Sequence, residues 1–157
     1  MPDQAEQLPA TPQRTDLVQV AALAARFRHA IEQSDRRWLP PGFDGFPAGC
    51  CGDAALFLGT FFKERGVGAF TYVCGLRGEG AAQHSHAWLE TADGVIIDIT
   101  ADQFPEITEP VIVTTQLDWH ATFDQEERHE ADYRIYDEST VARLGIAYRM
   151  ILHEFDR

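Results

Sequence analysis

The chain has little positive charge: 13 Lys and Arg residues stand against 25 Asp and Glu, so the net charge is −12. Such an acidic protein repels the phosphates of nucleic acids and of anionic lipid headgroups. The sequence also lacks any apolar run near the roughly 18 residues that a membrane span needs. We therefore expect no nucleic-acid partner and no membrane partner.

Cysteine is also scarce, with Cys50, Cys51 and Cys74 as the whole set. The number is odd, and adjacent cysteines rarely meet the geometry of a disulfide. Residues 1–15 lack the basic and apolar regions of a signal peptide, and their Pro, Gln and Asp content predicts a mobile tail. We therefore expect three free thiols in a reducing cytoplasm.

Apolar residues are abundant enough for one core, at 45% of the chain. The length fits a single domain, which we place at 16–157. Apolar steps of three and four residues predict helices over 16–33, 51–65 and 139–155. Alternating or β-branched segments predict strands over 69–74, 84–91, 95–100 and 109–114. Prolines and glycines exclude helix from 39–47, and the polar segment 121–132 fits neither pattern.

The loop at 92–94 decides which side chains share a face of the predicted hairpin. A two-residue turn would place His86 and Asp98 on opposite faces. A three-residue loop, with Gly94 in the left-handed conformation, would place them on one face as diagonal neighbours. We predict the second register, because it also gathers the apolar residues of both strands on the other face.

Three segments carry the residue types that thiol catalysis requires. The turn-rich stretch 46–50 delivers Cys51 to the first turn of a helix, where free N–H groups and the helix dipole favour a thiolate. His86 can pair with this thiolate and protonate a leaving group, and Asp98 can orient the imidazole. This chemistry needs no cofactor and no metal.

These segments resemble the motifs of the transglutaminase-like, papain-like cysteine protease superfamily. Residues 49–55 (GCCGDAA) resemble G-x-C-x-D-x-A, residues 86–90 (HAWLE) resemble H-A-W-x-E, and residues 98–100 (DIT) resemble D-P-T. The resemblance covers about 46–104, and residues 97–104 with Trp119-His120 resemble a small, uncharacterised bacterial group within the superfamily. It implies an α+β fold in which a Cys-bearing helix packs on an antiparallel sheet, with flanking N- and C-terminal helices.

The resemblance further implies a cysteine peptidase or amidase with a Cys51-His86-Asp98 triad. Such an enzyme cleaves an amide (peptide or isopeptide) bond of a peptide or protein substrate through an acyl-enzyme. Two alternatives stay open: a glutamine deamidase or transamidase, and a non-catalytic binding module of the same fold. Papain-type enzymes carry a glutamine just before the Cys as oxyanion donor, and residues 44–48 contain none. The candidate replacements are backbone N–H groups and the side chains of Trp88, Gln103 and His120.

Residues next to these motifs have simpler interpretations. Cys50 is expected to be packed beside the nucleophile, and Trp88 to form core or site wall. Asp53 is expected to direct its carboxylate at backbone N–H groups at the start of the helix. Asp102 is an alternative to Asp98 as the orienting carboxylate, although it lies in the loop after the alternating apolar residues of the predicted strand.

A zinc site is the alternative to a triad. His84 and His86 share a strand face and could ligate zinc together with Cys51. A second ligand pair at metal spacing is missing from the sequence, so we favour the triad and predict no metal.

Overall fold

The computed structural model describes residues 14–157 and shows an α+β fold there. The helices are α1 (Leu17–Gln33), α2 (Cys51–Glu64) and α3 (Glu138–Phe155). The strands are β1 (Thr71–Arg77), β2 (His84–Glu90), β3 (Ile96–Asp98), β4 (Ile112–Thr114) and β5 (Asp124–Glu130). None of the described helices combines the length and the apolar character needed to cross a membrane.

The predicted mobile tail, residues 1–15, lies almost entirely outside the described residues. Its last residue, Thr15, is an exception, because its backbone N–H and hydroxyl donate to the two carboxylate oxygens of Asp93 at 2.8 and 2.6 Å. These hydrogen bonds join Thr15 to the β2–β3 loop, and the mobile tail stays a prediction.

The strands form one antiparallel sheet in the order β4-β3-β2-β1-β5. In the β2–β3 hairpin Leu89 pairs with Ile97 and Glu90 with Ile96, and Gly94 has a φ of +84°. This is the register predicted for the three-residue loop. It therefore places His86 and Asp98 on the same side of the sheet.

The two faces of the sheet are packed differently. Helix α2 covers the face that carries the apolar side chains of alternate strand positions, including Ala87, Leu89 and Ile97. A smaller aromatic cluster fills the other face, and its members are Val73, Trp88, Ile96, Phe104 and Phe123. His86 and Asp98 belong to this second face and are buried in it.

A buried arginine fixes the chain that follows β3. The guanidinium of Arg28, on α1, donates to both carboxylate oxygens of Asp102 at 2.7 and 2.9 Å. It also donates to the carbonyl oxygens of Ile99 at 2.9 Å and of Pro110 at 2.7 Å. Asp102 is therefore occupied by a structural ion pair, which accounts for it without a role in the site.

We expect Arg28→Met to lower the free energy of unfolding by about 3 kcal/mol, because it leaves a largely buried carboxylate and two carbonyl groups without their donor. Urea unfolding of both proteins measures this difference. The control is Arg37→Met, because Arg37 pairs with Asp35 at the surface, where its side chain is 84% exposed. Exposed pairs contribute little to stability. Equal losses in the two variants would contradict the anchoring role of Arg28.

Candidate active site

The start of α2 leaves backbone donors free beside Cys51. Helices α1 and α3 are capped by Asp16 and Asp137, whose carboxylates accept hydrogen bonds from backbone N–H groups of the first turn. Helix α2 has no side-chain cap, and the N–H groups of Cys51 and Gly52 have no partner among the described residues. Such donors can stabilise a thiolate or an oxyanion.

The structure corrects the role expected of Asp53. Its carboxylate makes no hydrogen bond to the start of α2, which has no side-chain cap. The physical reason is the identity of the residue before the helix. A carboxylate at the third helical residue bonds back to that residue mainly in a capping box, which requires Ser or Thr before the helix. In this chain the residue before the helix is Cys50. Burial raises the pKa of Asp53, with Arg143 opposing the effect.

The adjacent cysteines differ in environment. Cys50 is buried, at 5% exposed, whereas Cys51 is half-buried. Burial raises the pKa of Cys50 to about 12, with smaller contributions from Cys51 and Asp53. Cys50 therefore stays a thiol near neutral pH, in line with its predicted role as a packed neighbour. Burial also raises the pKa of Cys74, which lies on β1.

One carboxylate holds two histidines in the buried face of the sheet. His86 Nε2 lies 2.6 Å from Asp98 Oδ2, and His120 Nε2 lies 2.8 Å from the same oxygen. The backbone N–H of Thr100 donates to Asp98 Oδ1 at 3.0 Å. An ionised carboxylate only accepts hydrogen bonds, so both rings must carry a proton on Nε2. The shared use of Asp98 by His120 is a feature that the sequence did not predict.

The charges of this group favour a protonated His86. Burial opposes the charged ring, but the charge and the hydrogen bond of Asp98 outweigh burial, and interaction with Cys51 adds to them. Together they raise the pKa of His86 to about 9. Burial likewise opposes the charge of Asp98, yet His86 and His120 hold the pKa of its carboxyl below the usual range. The pair is therefore ionic at neutral pH.

Aromatic rings enclose the imidazole of His86. The ring centroids of Phe104, Phe123 and Trp119 lie 5.2, 5.5 and 5.6 Å from that of His86. Trp88 lies at 5.8 Å and forms another part of this wall. Its indole N–H donates to Glu90 Oε1 at 3.2 Å. Trp88 was predicted as wall or oxyanion donor, and only the wall fits this engaged N–H group.

The remaining oxyanion candidates are distinguished by their hydrogen bonds. His120 is engaged through Nε2 with Asp98. The amide nitrogen of Gln103 lies 3.2 Å from His86 Nδ1 and donates to the carbonyl oxygen of Thr100 at 3.1 Å. Among the three side chains considered, Gln103 is therefore the one beside the ring nitrogen that Asp98 leaves free. Its N–H group can donate to Nδ1 of the neutral ring and must turn away when Nδ1 is protonated.

The pairing of β2 with β3 ends close to Cys51. The pairing of β2 with β3 ends at Leu89 and Ile97, so the strands separate before reaching Asp98. A narrow cleft at this point is lined by residues that include Cys51, Asp98 and Thr100. The cleft thus places Cys51 close to Asp98, the carboxylate that holds both histidines, although neither histidine lines it.

A metal ion would find ligands at a different place from the one considered in the sequence. The ligand atoms of His86, Asp98 and His120 lie within 4.8 Å of one another. Their mutual hydrogen bonds already account for this grouping. His84 is exposed and outside it, with its ring edge-on to Phe104 at 6.0 Å. Among the described residues, the zinc alternative through His84 therefore gains no support.

Comparisons with models of protein families, with curated proteins and with solved structures found no match to this chain. The transglutaminase-like resemblance therefore stays a prediction from three short motifs. The case for a function rests on the geometry and the charges of the site.

Proposed function

We propose that this protein is a thiol-dependent hydrolase with a papain-like, transglutaminase-like core, which cleaves amide bonds through an acyl-enzyme at Cys51. The observation that carries the proposal is the buried His86–Asp98 pair, 2.6 Å between Nε2 and Oδ2, with Asp98 lining the same narrow cleft as Cys51. A group of this kind supplies the proton transfers that acyl transfer to a thiol requires.

In the first half of the reaction the Cys51 thiolate attacks the carbonyl carbon of the amide. The C–S bond forms, and the carbonyl electrons move to oxygen, where the free N–H groups at the start of α2 stabilise the negative charge. The intermediate collapses and the C–N bond breaks. Because Nε2 of His86 is held by Asp98, the proton for the leaving amine comes from Nδ1.

In the second half a water molecule attacks the thioester carbon and gives its proton to His86 Nδ1. The C–O bond forms, the C–S bond breaks, and the thiolate leaves beside the imidazolium, which restores the starting ion pair. Asp98 keeps its charge throughout and orients the ring. An amine in place of water would complete a transamidation with the same proton transfers.

Alkylation by iodoacetamide near pH 6 tests this proposal without knowledge of the natural substrate. An activated thiolate reacts at this pH, whereas ordinary thiols are almost fully protonated and react slowly. We expect one equivalent of label at Cys51 before Cys50 or Cys74 react, as located by fragmentation of the labelled peptides. Equal, slow labelling of all three thiols would contradict the proposal and favour a non-catalytic binding module.

A further inference from the structure

A groove of about 410 Å³ lies beside β4, which is an edge strand of the sheet. Its wall is part polar and part apolar, and the apolar part includes Val111, Val113 and Trp119. Two carboxylates, Glu109 and Asp118, also line it, and both residues are exposed. The groove is lined by different residues from the narrow cleft that contains Cys51.

His120 joins this groove to the buried histidine group. Its side chain is only 4% exposed, and its Nε2 is bound to Asp98. Its other nitrogen, Nδ1, has no hydrogen-bond partner among residues 14–157. Every fully buried side-chain nitrogen or oxygen in this range does have a partner, so Nδ1 is not fully buried. Nδ1 must therefore be accessible from a cavity. Because His120 lines the groove beside β4, we take this groove as the cavity that Nδ1 faces.

The tautomer of His120 defines what can bind at this point. Because Nε2 carries the proton given to Asp98, Nδ1 of the neutral ring is a hydrogen-bond acceptor. A ligand must therefore present a donor to it. Glu109 and Asp118 form no ion pair with the described residues, so their charges favour a cationic donor. The apolar part of the wall suits an aliphatic stem.

We propose that this groove binds a primary ammonium group on an aliphatic stem, such as a lysine side chain or an alkylamine, with the ammonium donating to His120 Nδ1. A donor at Nδ1 polarises the ring and strengthens its Nε2–H bond to Asp98. The bound amine is thus linked through His120 to Asp98, the carboxylate that also holds His86. Binding itself does not depend on reactivity at Cys51.

NMR titration with n-butylamine at low ionic strength tests this binding, with 1-butanol as the uncharged control and butyrate as the anionic one. We expect saturable shifts of the His120 ring nitrogens and of the Val113 amide with n-butylamine, weaker shifts with 1-butanol and none with butyrate. Tighter binding of butyrate would mean that Nδ1 is a donor and would overturn the proposal. Equal binding of 1-butanol would reduce the site to an apolar groove and would also overturn it.

Charge variants distinguish the groove from general attraction of amines to an acidic protein. Glu109→Gln and Asp118→Asn should each weaken n-butylamine binding about 2- to 5-fold, the loss typical of an exposed ion pair. Glu79→Gln removes an exposed carboxylate that does not line the groove, and should leave the affinity unchanged. An equal loss in Glu79→Gln would overturn the proposal. An unreactive Cys51 would contradict only the proposed function, because the titration does not measure thiol chemistry.

Discussion

Cys51→Ala is expected to abolish acyl transfer, with turnover of the activated ester p-nitrophenyl acetate falling by roughly 10⁴-fold or more. The substitution removes the sulfur that attacks the carbonyl, and the neighbouring thiol of Cys50 is buried. The release of p-nitrophenol measures the rate, and mass spectrometry of the stopped reaction detects the acetyl-enzyme. Both signals should disappear together in the variant.

Cys50→Ala is the matched control, because it makes the same chemical change at the adjacent residue. Cys50 is buried, and its pKa is raised to about 12, so it contributes little thiolate near neutral pH. We expect this variant to keep most of the turnover and the acetyl-enzyme. If Cys50→Ala were inactive and Cys51→Ala active, with both folded by circular dichroism, the nucleophile would be Cys50, and the motif register would be wrong.

Elements with a strong local pattern could be predicted from the sequence. Helix α1 begins directly after its cap Asp16, and α2 begins at Cys51, both as expected. The hairpin register followed from the apolar alternation of its two strands and from Gly94. In these cases the residues that define the element are neighbours in sequence, so spacing alone contains the information.

Strand β5 could not be predicted, because its sequence, DQEERHE, is polar throughout. Six of its seven residues are exposed, so burial imposes no alternation on them. The strand exists because its backbone pairs with β1, as between Thr71 and Glu130. Pairing of this kind depends on long-range contacts, which a single sequence does not reveal.

The same limit applies to the candidate site. His86 and Asp98 were predicted together because one hairpin carries both. His120 was named only as a candidate oxyanion donor, because it is 22 residues away from Asp98, on a separate turn. Arg28 was missed altogether, because its pairing with Asp102 spans 74 residues. The hydrogen bonds that complete the site are thus the ones that local spacing cannot show.

Asp98→Asn is expected to lower turnover of p-nitrophenyl acetate by roughly 10²- to 10³-fold while leaving the fold intact. The amide has one accepting oxygen and no charge, whereas Asp98 accepts from both His86 and His120 at Oδ2 and from the Thr100 N–H at Oδ1. The amide NH₂ group must therefore face either the two rings or the Thr100 N–H as a second donor, and His86 loses the charge that stabilises its protonated form. Unchanged turnover would contradict the assignment of Asp98 as the orienting carboxylate.

The C2 proton of His86 gives a direct test of the same effect by NMR titration. In the native protein the ring should titrate with a pKa of about 9. In Asp98→Asn burial still disfavours the charged form of His86, whereas the carboxylate charge that favoured it is gone. The pKa of His86 should therefore fall below the ordinary value of about 6.5. The ring of the variant would then be mostly neutral at pH 7, and we expect its Cys51 to be alkylated more slowly than Cys51 of the native protein, because the ion pair is lost. Asp102→Asn is the matched control, because Asp102 pairs with Arg28; it should lower stability but leave the His86 titration in place. If Asp102→Asn shifted the pKa of His86 and Asp98→Asn did not, the orienting carboxylate would be Asp102.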